Sequence, residues 1–468
     1  MDTVRLFGHY VQWRALLLAM LEAALVTAGV YLASLILALA PAGSLEAVSV
    51  PHPLQAVGFV TVTMLALMSL GLYQLRLRDG GIRLAVRVVI SLMVAGLGMI
   101  ILRALLPLPL PSGETVLIAL ALAVVIVTLT HSIFFRILDR GGLRRRILFY
   151  GAGAEAAAAL STLRRKTDQR LFELMGCVSL PEEADEIRPE TLVEIDQDLH
   201  QYVLDNGIDE VVLAMAERRG IFPTQELLAC RLSGVEVTNM LSFYERHTGK
   251  LICDLLRPSD IILSDGFRWR SSLEGLKRGL DLILASLLLL VALPIIAIFG
   301  LCIKIEDGLR APIFYRQDRV GIGGKVFRLF KMRSMREDAE QGGPARWASS
   351  DDDRITKVGA VMRKYRVDEL PQLFNVFKGD MALVGPRPER PEFVEDLSQN
   401  LAFYNVRHRV RPGITGWAQL LYPYGSSDDD ALRKLEFDLY YVKNGSLFLD
   451  LVILVGTVEV ILFGKGAR

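Results

Sequence analysis

Residues 363–389, RKYRVDELPQLFNVFKGDMALVGPRPE, set two adjacent carboxylates, Asp368 and Glu369, behind a basic run and just ahead of Pro371. Proline fixes φ near the helical value and lacks the N–H that a first turn leaves unpaired, so it suits a helix start. It also biases the residue before it away from the α region. Pro371 is therefore predicted to open a helix, PQLFNVFK, that Gly379 stops, with Leu373, Phe374 and Phe377 on the buried side. Asp368 and Glu369 then lie at the helix entrance, where the dipole and free N–H groups favour negative charge. Sequence neighbours do not share a helix face, so this is not a facing acid couple. One carboxylate can attack while the other binds a cation; a plain acidic helix cap is the alternative. Arg363, Arg366, Arg387 and Arg411 flank the pair, and guanidinium forks suit phosphate oxygens. Mg²⁺ typically takes one or two carboxylates plus substrate phosphate, which makes Asp368 and Glu369 the candidate metal ligands. There is no P-loop lysine motif. A nucleophilic aspartate attacking phosphorus is chemistry this constellation can do.

The elements that must position these groups begin with apolar segments. Hydrophobic residues make up 52% of the 468-residue chain, and residues 15–40, 54–75, 84–106 and 115–138 each reach the length of a membrane span. About 20 residues are needed. Arg5 and Arg14 precede the first segment, Arg76, Arg78, Arg83 and Arg87 lie around the turn between the second and third, and Arg140, Arg144, Arg145 and Arg146 follow the fourth. The other two connections carry no Lys or Arg, although Arg103 is close to one of them. The positive-inside rule puts the N-terminus and everything after residue 139 in the cytoplasm. The first apolar run is too long for a cleavable signal peptide and lacks a small-residue cleavage site.

RRRILFYGAGAEAAAAL then reads as a strand (147–150), a glycine turn and a helix. Gly151, Gly153 and Ala156 form a GxGxxA turn of the dinucleotide type, with backbone N–H groups at a helix N-terminus. Strand-like runs at 174–180, 210–214 and 235–238 alternate with helical segments, which predicts a doubly wound α/β module up to residue 265. Glu182 or Glu183 would serve only loosely as its ribose-binding acid, so a scaffold or regulatory role is expected over a redox one. Next, residues 280–303 form an apolar run between Lys277-Arg278 and Lys304, with Pro294 near its middle. An interior proline removes a helical hydrogen bond and kinks the chain. Residues 312–336 follow with Arg316, Arg319, Lys325, Lys331 and Arg333. They could form a basic face toward anionic lipid, but glycines at 321, 323 and 324 argue for approach to a compact anion.

From about Lys277 onward the chain resembles the bacterial sugar transferases of the polyprenyl-phosphate hexose-1-phosphate transferase family. The resemblance is carried by QDRVG (317–321), KMRSM (331–335), DRIT (353–356), VDELPQLFNVFKGDM (367–381), VGPRPE (384–389), RPGITGWAQ (411–419) and FDLYYVKN (437–444). The opening RLFGHYV, the four spans and the α/β module resemble the large, exopolysaccharide-associated monotopic members. Ala382 and Leu293 depart from the serines often found at those places. The resemblance implies transfer of a sugar-1-phosphate from a UDP-sugar to undecaprenyl phosphate, with release of UMP. It implies Asp368 as the nucleophile of a phosphosugar–aspartate intermediate and Glu369 as support for Mg²⁺. Arg387 would meet the nucleotide; Lys331, Arg333, Arg363 and Arg411 would contact the diphosphate; and Asp438 would be a helper acid. With the donor made in the cytoplasm, a full fifth span would strand Asp368 outside. The run 280–303 is therefore expected to enter the membrane and return, with Pro294 as the re-entrant break.

The expected organisation is thus a four-helix transmembrane bundle (1–140), a Rossmann-like cytoplasmic domain (141–265) and an α/β catalytic domain with a re-entrant membrane helix (271–468). That makes a multi-pass protein of the cytoplasmic membrane whose catalytic domain faces the cytoplasm and touches membrane lipid. A homodimer is compatible with this plan. A net charge of +1 gives no long-range argument for nucleic acid, and Cys177, Cys230, Cys253 and Cys302 are scattered, with no metal or disulfide spacing. A membrane-bound NAD-dependent nucleotide-sugar dehydratase or epimerase would need a second dinucleotide fold and a Tyr-x-x-x-Lys pair, and no tyrosine has a lysine four positions on. A non-catalytic scaffold for polysaccharide assembly leaves the phosphate-type motifs without a use.

Overall fold

In a computed structural model the chain is described at residues 3–6, 9–39, 51–73, 81–105, 110–139, 144–162, 172–180, 184–215, 222–267, 271–336, 354–422 and 427–463. Two compact units divide it: Met1–Val4 with Val11–Gly249, and Arg5–Tyr10 with Lys250–Arg468. A two-stranded sheet, β1 (Thr3–Leu6) and β2 (His9–Gln12), lies at the N-terminus.

In the first unit, α1 (Trp13–Leu39), α2 (Pro53–Ser69), α3 (Gly81–Leu105) and α4 (Gly113–Asp139) pack around Val26, Val30, Phe59, Leu67, Val88 and Val127. Stretches of α1, α3 and α4 are long and apolar enough to cross a membrane. The second segment is shorter than the sequence reading. Instead of running to residue 75, α2 stops at Ser69 after 17 residues. Gly71 takes the left-handed conformation at φ 69°. Its N–H bonds the Met68 carbonyl at 3.0 Å and that of Leu72 bonds the Leu67 carbonyl at 3.3 Å, a Schellman stop. Glu22 and His131 are both fully buried in this bundle. His131 Nδ1 lies 2.7 Å from Glu22 Oε1, and the Tyr73 hydroxyl donates to Glu22 Oε2 at 2.6 Å.

The α/β module follows as β3 (Arg145–Tyr150), α5 (Ala154–Thr162), β4 (Phe172–Val178), β5 (Leu192–Val193), α6 (Leu199–Asp205), β6 (Glu210–Leu213), α7 (Thr224–Leu232), β7 (Glu236–Asn239) and α8 (Met240–Thr248). Its strands are parallel and ordered β5-β4-β3-β6-β7. The order reverses beside β3, the strand that feeds the glycine turn, as in a doubly wound sheet. Ile147, Leu148, Phe149, Val211 and Val212 are fully buried on both faces, which is why these strands read as continuous apolar runs.

The second unit holds α9 (Pro258–Leu263), α10 (Ser271–Asp307), β8 (Phe314–Val320), β9 (Val326–Met332), α11 (Lys357–Lys364), α12 (Gln372–Lys378), β10 (Ala382–Val384), α13 (Pro391–Asn400), β11 (Gly413–Thr415), α14 (Trp417–Leu421), α15 (Asp428–Asn444) and α16 (Leu447–Phe463). The segment before α9, read from the sequence as the end of the α/β module, belongs to this unit. Lys250 forms a buried pair with Glu436 of α15 at 2.7 Å. β8 and β9 are an antiparallel pair, whereas β10 and β11 pair in parallel. One core joins Leu329 and Met332, Leu373 and Val376, Leu383 and Val384, and Tyr440 and Tyr441 to a stripe of α10 made of Ala285, Ala292, Ile296 and Ile303. Leu287, Leu290, Val291, Leu293, Ile298 and Leu301 on the same helix are exposed. The helix runs continuously through Pro294. Near its start, Arg278 donates to the Val376 and Phe377 carbonyls at 2.5 and 2.9 Å. At its end, Glu306 accepts from the Lys357 and Val358 amides at 2.8 and 3.0 Å, and Asp307 pairs with Arg333.

Candidate active site

Asp368 and Glu369 occupy a single 3₁₀ turn, Val367–Glu369, between α11 and α12. The helix after it forms where the proline–glycine punctuation places it: Pro371 precedes Gln372, and Gly379 ends α12 at φ 90°. Its buried side differs from the sequence reading. Leu373 is buried, but Phe374 and Phe377 are 39% and 37% exposed, and Asn375 and Val376 take the inner positions. The reason is the edge of β9. Asn375 Oδ1 accepts from the Phe330 amide at 3.0 Å, and its Nδ2 donates to the Arg328 carbonyl at 2.7 Å. Two backbone groups that burial would orphan are satisfied by one amide side chain.

Arg366, just before the turn, sits at φ 54°, ψ 26°, a left-handed conformation that a non-glycine residue adopts at a cost. That bend brings its guanidinium back over the turn, 3.5 Å from Glu369 Oε2. Arg387 Nη2 lies 2.8 Å from Glu369 Oε1, and Lys331 Nζ of β9 lies 3.8 Å from the same oxygen. Three cations therefore converge on Glu369. Burial opposes its charge, but Arg387, Lys331 and Arg366 outweigh burial and hold its carboxyl well below the ordinary range. Asp368 has the opposite balance. Burial and then the Glu369 charge push its carboxyl up, with Lys331, Arg363 and Arg387 pulling the other way. Asp368 makes no hydrogen bond to any described residue, although it is only 8% exposed. Lys331 is pulled down by burial and up by Glu369.

Arg387 is delivered by the Gly385–Glu389 loop, which is tied at successive backbone groups. The Gly385 amide bonds the Thr415 carbonyl at 2.9 Å, the Gly413 amide bonds the Pro386 carbonyl at 3.0 Å, and the Val320 amide bonds the Glu389 carbonyl at 2.9 Å. Arg319 donates to the Pro388 carbonyl at 3.1 Å. The loop and the 411–416 segment approach so closely that a Cβ on Gly385 would meet the Arg411 carbonyl at 2.3 Å, and one on Gly413 would meet the Gly385 amide at 2.1 Å. Only glycine permits that approach.

The structure therefore gathers Asp368, Glu369, Lys331, Arg363, Arg366 and Arg387. Arg333 is placed elsewhere: it is buried and paired with Asp307 at the end of α10, tying β9 to that helix. Arg411 contributes its carbonyl to the close crossing at Gly385, and no hydrogen bond or ion pair joins its side chain to a described residue. Asp438 is buried in α15 and pairs with Arg407 at 2.8 Å, not with the acid pair. Burial pushes Asp438 up to about 6 against the pull of Arg407. Arg407 and Glu389 were not singled out from the sequence, and Arg319, read there as one cation of a basic stretch, holds the loop backbone at Pro388. Arg407 lies in the basic run VRHRVR, where nothing local says which arginine turns inward.

The residues fit a divalent ion in part. Asp368 offers a buried carboxylate without a hydrogen-bond partner among the described residues, and one such group plus substrate phosphates is a common Mg²⁺ set. Both oxygens of Glu369 already face cations. Among the described residues no cluster of three or more His, Cys, Asp or Glu could hold a metal by itself.

The glycine turn of the α/β module has a structural use of its own. Gly151 lies at φ 119°, and a Cβ there would meet the Ala214 carbonyl of the neighbouring strand's end at 2.6 Å. Glu182 and Glu183 lie outside the described residues.

The sequence profile of the bacterial sugar transferases matches residues 272–464, from the start of α10 through the end of α16. The chain is 42% identical over 243 residues to UDP-N-acetylgalactosamine-undecaprenyl-phosphate N-acetylgalactosaminephosphotransferase of Aeromonas hydrophila, an overlap of 52% of this chain and 56% of that protein. It is 39% identical over 185 residues to UDP-glucose:undecaprenyl-phosphate glucose-1-phosphate transferase of Escherichia coli, covering 39% of each. A protein of the same name from Caulobacter vibrioides is 38% identical over 195 residues, 41% of this chain and 72% of that one. The chain thus spans about half the length or less of the first two relatives and most of the third. The profile lies on the unit that carries the acid pair and its arginines, and the chain belongs to the bacterial sugar transferase family.

Proposed function

We propose that the protein transfers a sugar-1-phosphate from a UDP-sugar to undecaprenyl phosphate, giving undecaprenyl-diphosphate-sugar and UMP. The first step of a glycan or exopolysaccharide repeat unit is the corresponding role. The observation that carries this reading is the division of labour within the acid pair: Glu369 is held charged by Arg387, Lys331 and Arg366, while Asp368 is buried beside the same cations with no hydrogen bond to a described residue. A carboxylate oxygen of Asp368 attacks the phosphorus that bears the sugar. The bond to the bridging oxygen breaks, and that oxygen leaves with UMP. The phosphate oxygen of undecaprenyl phosphate then attacks the same phosphorus and expels Asp368 as carboxylate. Lys331, Arg363 and Arg387 are set to neutralise the diphosphate as charge shifts to the leaving oxygen. Mg²⁺ held by Asp368 with substrate phosphates, and supported by Glu369 where its cations allow, would add charge neutralisation at the diphosphate. The names of the relatives, which specify UDP-N-acetylgalactosamine or UDP-glucose with undecaprenyl phosphate, support the substrate class.

For placement, both ends of α10 are bonded to elements of one domain, α12 near its start and α11 and β9 at its end. A crossing helix would part those ends by the bilayer thickness. This favours an α10 that enters from the cytoplasmic face and returns, with the catalytic domain at the headgroups.

The test is UMP release by the purified protein with undecaprenyl phosphate across a panel of UDP-sugars. Release that needs both substrates is expected, together with a phosphosugar adduct on Asp368 by mass spectrometry when acceptor is withheld. No UMP from any UDP-sugar would sink the reading.

A further inference from the structure

Asp438 has the appearance of a helper acid in sequence, yet its surroundings give it a different task. Its one ion-pair partner among the described residues is Arg407, whose guanidinium is enclosed on every side. Arg407 Nη1 donates to the Tyr404 hydroxyl at 2.7 Å, Nη2 donates to the backbone carbonyl of Arg387 at 2.8 Å, and the same Nη2 forms an ion pair with Asp438 Oδ2 at 2.8 Å. The side chains of Arg407 and Asp438 are 6% and 4% exposed. The Arg387 carbonyl is the point where this buried cation grips the loop that also carries the Arg387 side chain to Glu369. A bond from a charged donor is roughly twice as strong as a neutral one. A buried guanidinium is tolerated only with a counter-charge, and Asp438 supplies it.

We propose that Arg407 is a positioning residue for sugar-phosphate transfer, fixing Arg387 through its backbone carbonyl, and that Asp438 serves the reaction by holding Arg407 and not as an acid. The inference rests on the transfer reaction proposed above. Three features support it. Three other carbonyls of the loop are claimed by neighbours of their own: Pro386 by the Gly413 amide, Pro388 by Arg319 and Glu389 by the Val320 amide. Arg407 takes the Arg387 carbonyl among them. Arg407 and Asp438 come from separate elements, a 3₁₀ helix at Tyr404–Arg409 and the middle of α15, so the contact is built by the fold and not by local sequence. Finally, Tyr404 is itself buried and directs its hydroxyl at the same guanidinium, which locks its rotamer.

The experiment is a double-mutant cycle on the full chain in detergent, read by UMP release. Asp438→Asn and Arg407→Gln should each lower kcat/KM about 10–100-fold, the scale of a misplaced clamp. The double variant should fall no further than the worse single one, because both act through one contact. Arg407→Lys should recover part of the loss. The pH profile of kcat/KM should keep both limbs in Asp438→Asn. Additive losses, or disappearance of the limb that reports a protonated group, would overturn the proposal by making Asp438 an acid in its own right. Should Arg407→Gln fail to fold, Tyr404→Phe removes only the hydroxyl from Nη1 and is expected to be non-additive with Asp438→Asn; additivity there overturns the proposal equally. Wild-type protein that releases no UMP condemns the transfer reading itself, whereas active wild type with additive variants condemns this inference alone.

Discussion

Arg387 Nη2 donates to Glu369 Oε1 over 2.8 Å, and this bond separates two carboxylates that adjoin in sequence. Glu369 becomes part of a charge cluster with Lys331 and Arg366, while Asp368 faces the same cations without bonding them. The two acids are thereby made chemically unequal by their neighbours, as pairs with divergent roles are.

Asp368→Asn should abolish transfer, since an amide is a far poorer nucleophile than a carboxylate. The expected loss is roughly a thousandfold or more, about 4 kcal/mol of transition-state stabilisation. Glu369→Gln should be severely impaired for a different reason: three cations lose their common anion. UMP release measures both, and turnover of Asp368→Asn within tenfold of the parent is incompatible with a covalent mechanism.

Gly413→Ala should destroy activity without touching any charged group. Its new Cβ would sit 2.1 Å from the Gly385 amide nitrogen, a backbone atom that cannot swing aside. The loop carrying Arg387 must then move. The expected result is UMP release reduced about 100-fold or more, a misplaced clamp being worth that much, with a lowered melting temperature. An alanine variant of ordinary activity would show that the crossing is looser than it stands.

His408 gives the catalytic unit an acid-side weakness. Burial, and then Arg407 beside it, pull its imidazole down to about 4. An unfolded histidine titrates near 6.5. Between those values the unfolded chain binds a proton that the folded chain does not, so stability falls as pH falls through that window and levels off below it. Thermal melts of His408→Gln should show a flatter acid-side decline than the parent. Parallel curves for the two would remove His408 from the account.

How much of this was legible depended on whether the signal was local. Pro371 and Gly379 bracket α12 because each acts on its own backbone, and the strands of the α/β module follow from apolar runs that a parallel sheet buries on both faces. Phe374 and Phe377 read as core by hydrophobicity, yet the inner face went to Asn375 because the edge of β9 needed a donor and an acceptor. Residues 54–75 looked like one span because apolar composition continues past Gly71, whereas the stop is conformational. The acid pair and most of its arginines were visible as residue types near one another in the chain. The separation of Arg333 from the site, and the capture of Asp438 by Arg407, arise from contacts between distant elements, to which no spacing rule points.

The membrane bundle is held by a buried pair whose loss should be asymmetric. His131 meets Glu22 at Nδ1 and the Leu72 carbonyl at Nε2, 3.2 Å away. Removing His131 leaves the buried Glu22 with only the hydroxyls of Tyr73 and Thr130 as donors among the described residues, while replacing both members of a buried pair by apolar groups can be neutral. His131→Leu should therefore melt at a lower temperature in detergent than Glu22→Leu with His131→Leu together. A double variant less stable than the single would contradict this.

The apolar helix α10 should label as a segment whose two ends share one side of the membrane. By length it could cross: Glu274–Asp307 is a 34-residue helical stretch that contains a window apolar enough to span. Its bonding argues otherwise. Lys277 pairs with Asp450 of α16 at 2.6 Å and bonds the Val384 carbonyl at 3.2 Å, which fixes the start of the helix to β10 and α16. Lys304 near its end donates to the Ala311 carbonyl, just before β8, and Glu306 holds the first amides of α11. These anchors belong to one core, the arrangement expected if the exposed leucines between them dip into the membrane and return. Pro294 supplies the place for a bend, because its missing N–H leaves one helical bond unmade. At membrane depth the freed carbonyl needs protein for a partner, and the stripe of Ala285, Ala292, Ile296 and Ile303 keeps the helix against protein along that stretch. Cysteines at Gly275, where a side chain has open space, and at Leu309, 85% exposed, would report the two ends in a Cys302→Ser background. With an impermeant thiol reagent, neither should label in intact cells and both should label after the membrane is opened. Labelling of Leu309→Cys from outside, with Gly275→Cys protected, would make α10 a crossing helix and place Asp368 on the far side from its nucleotide donor.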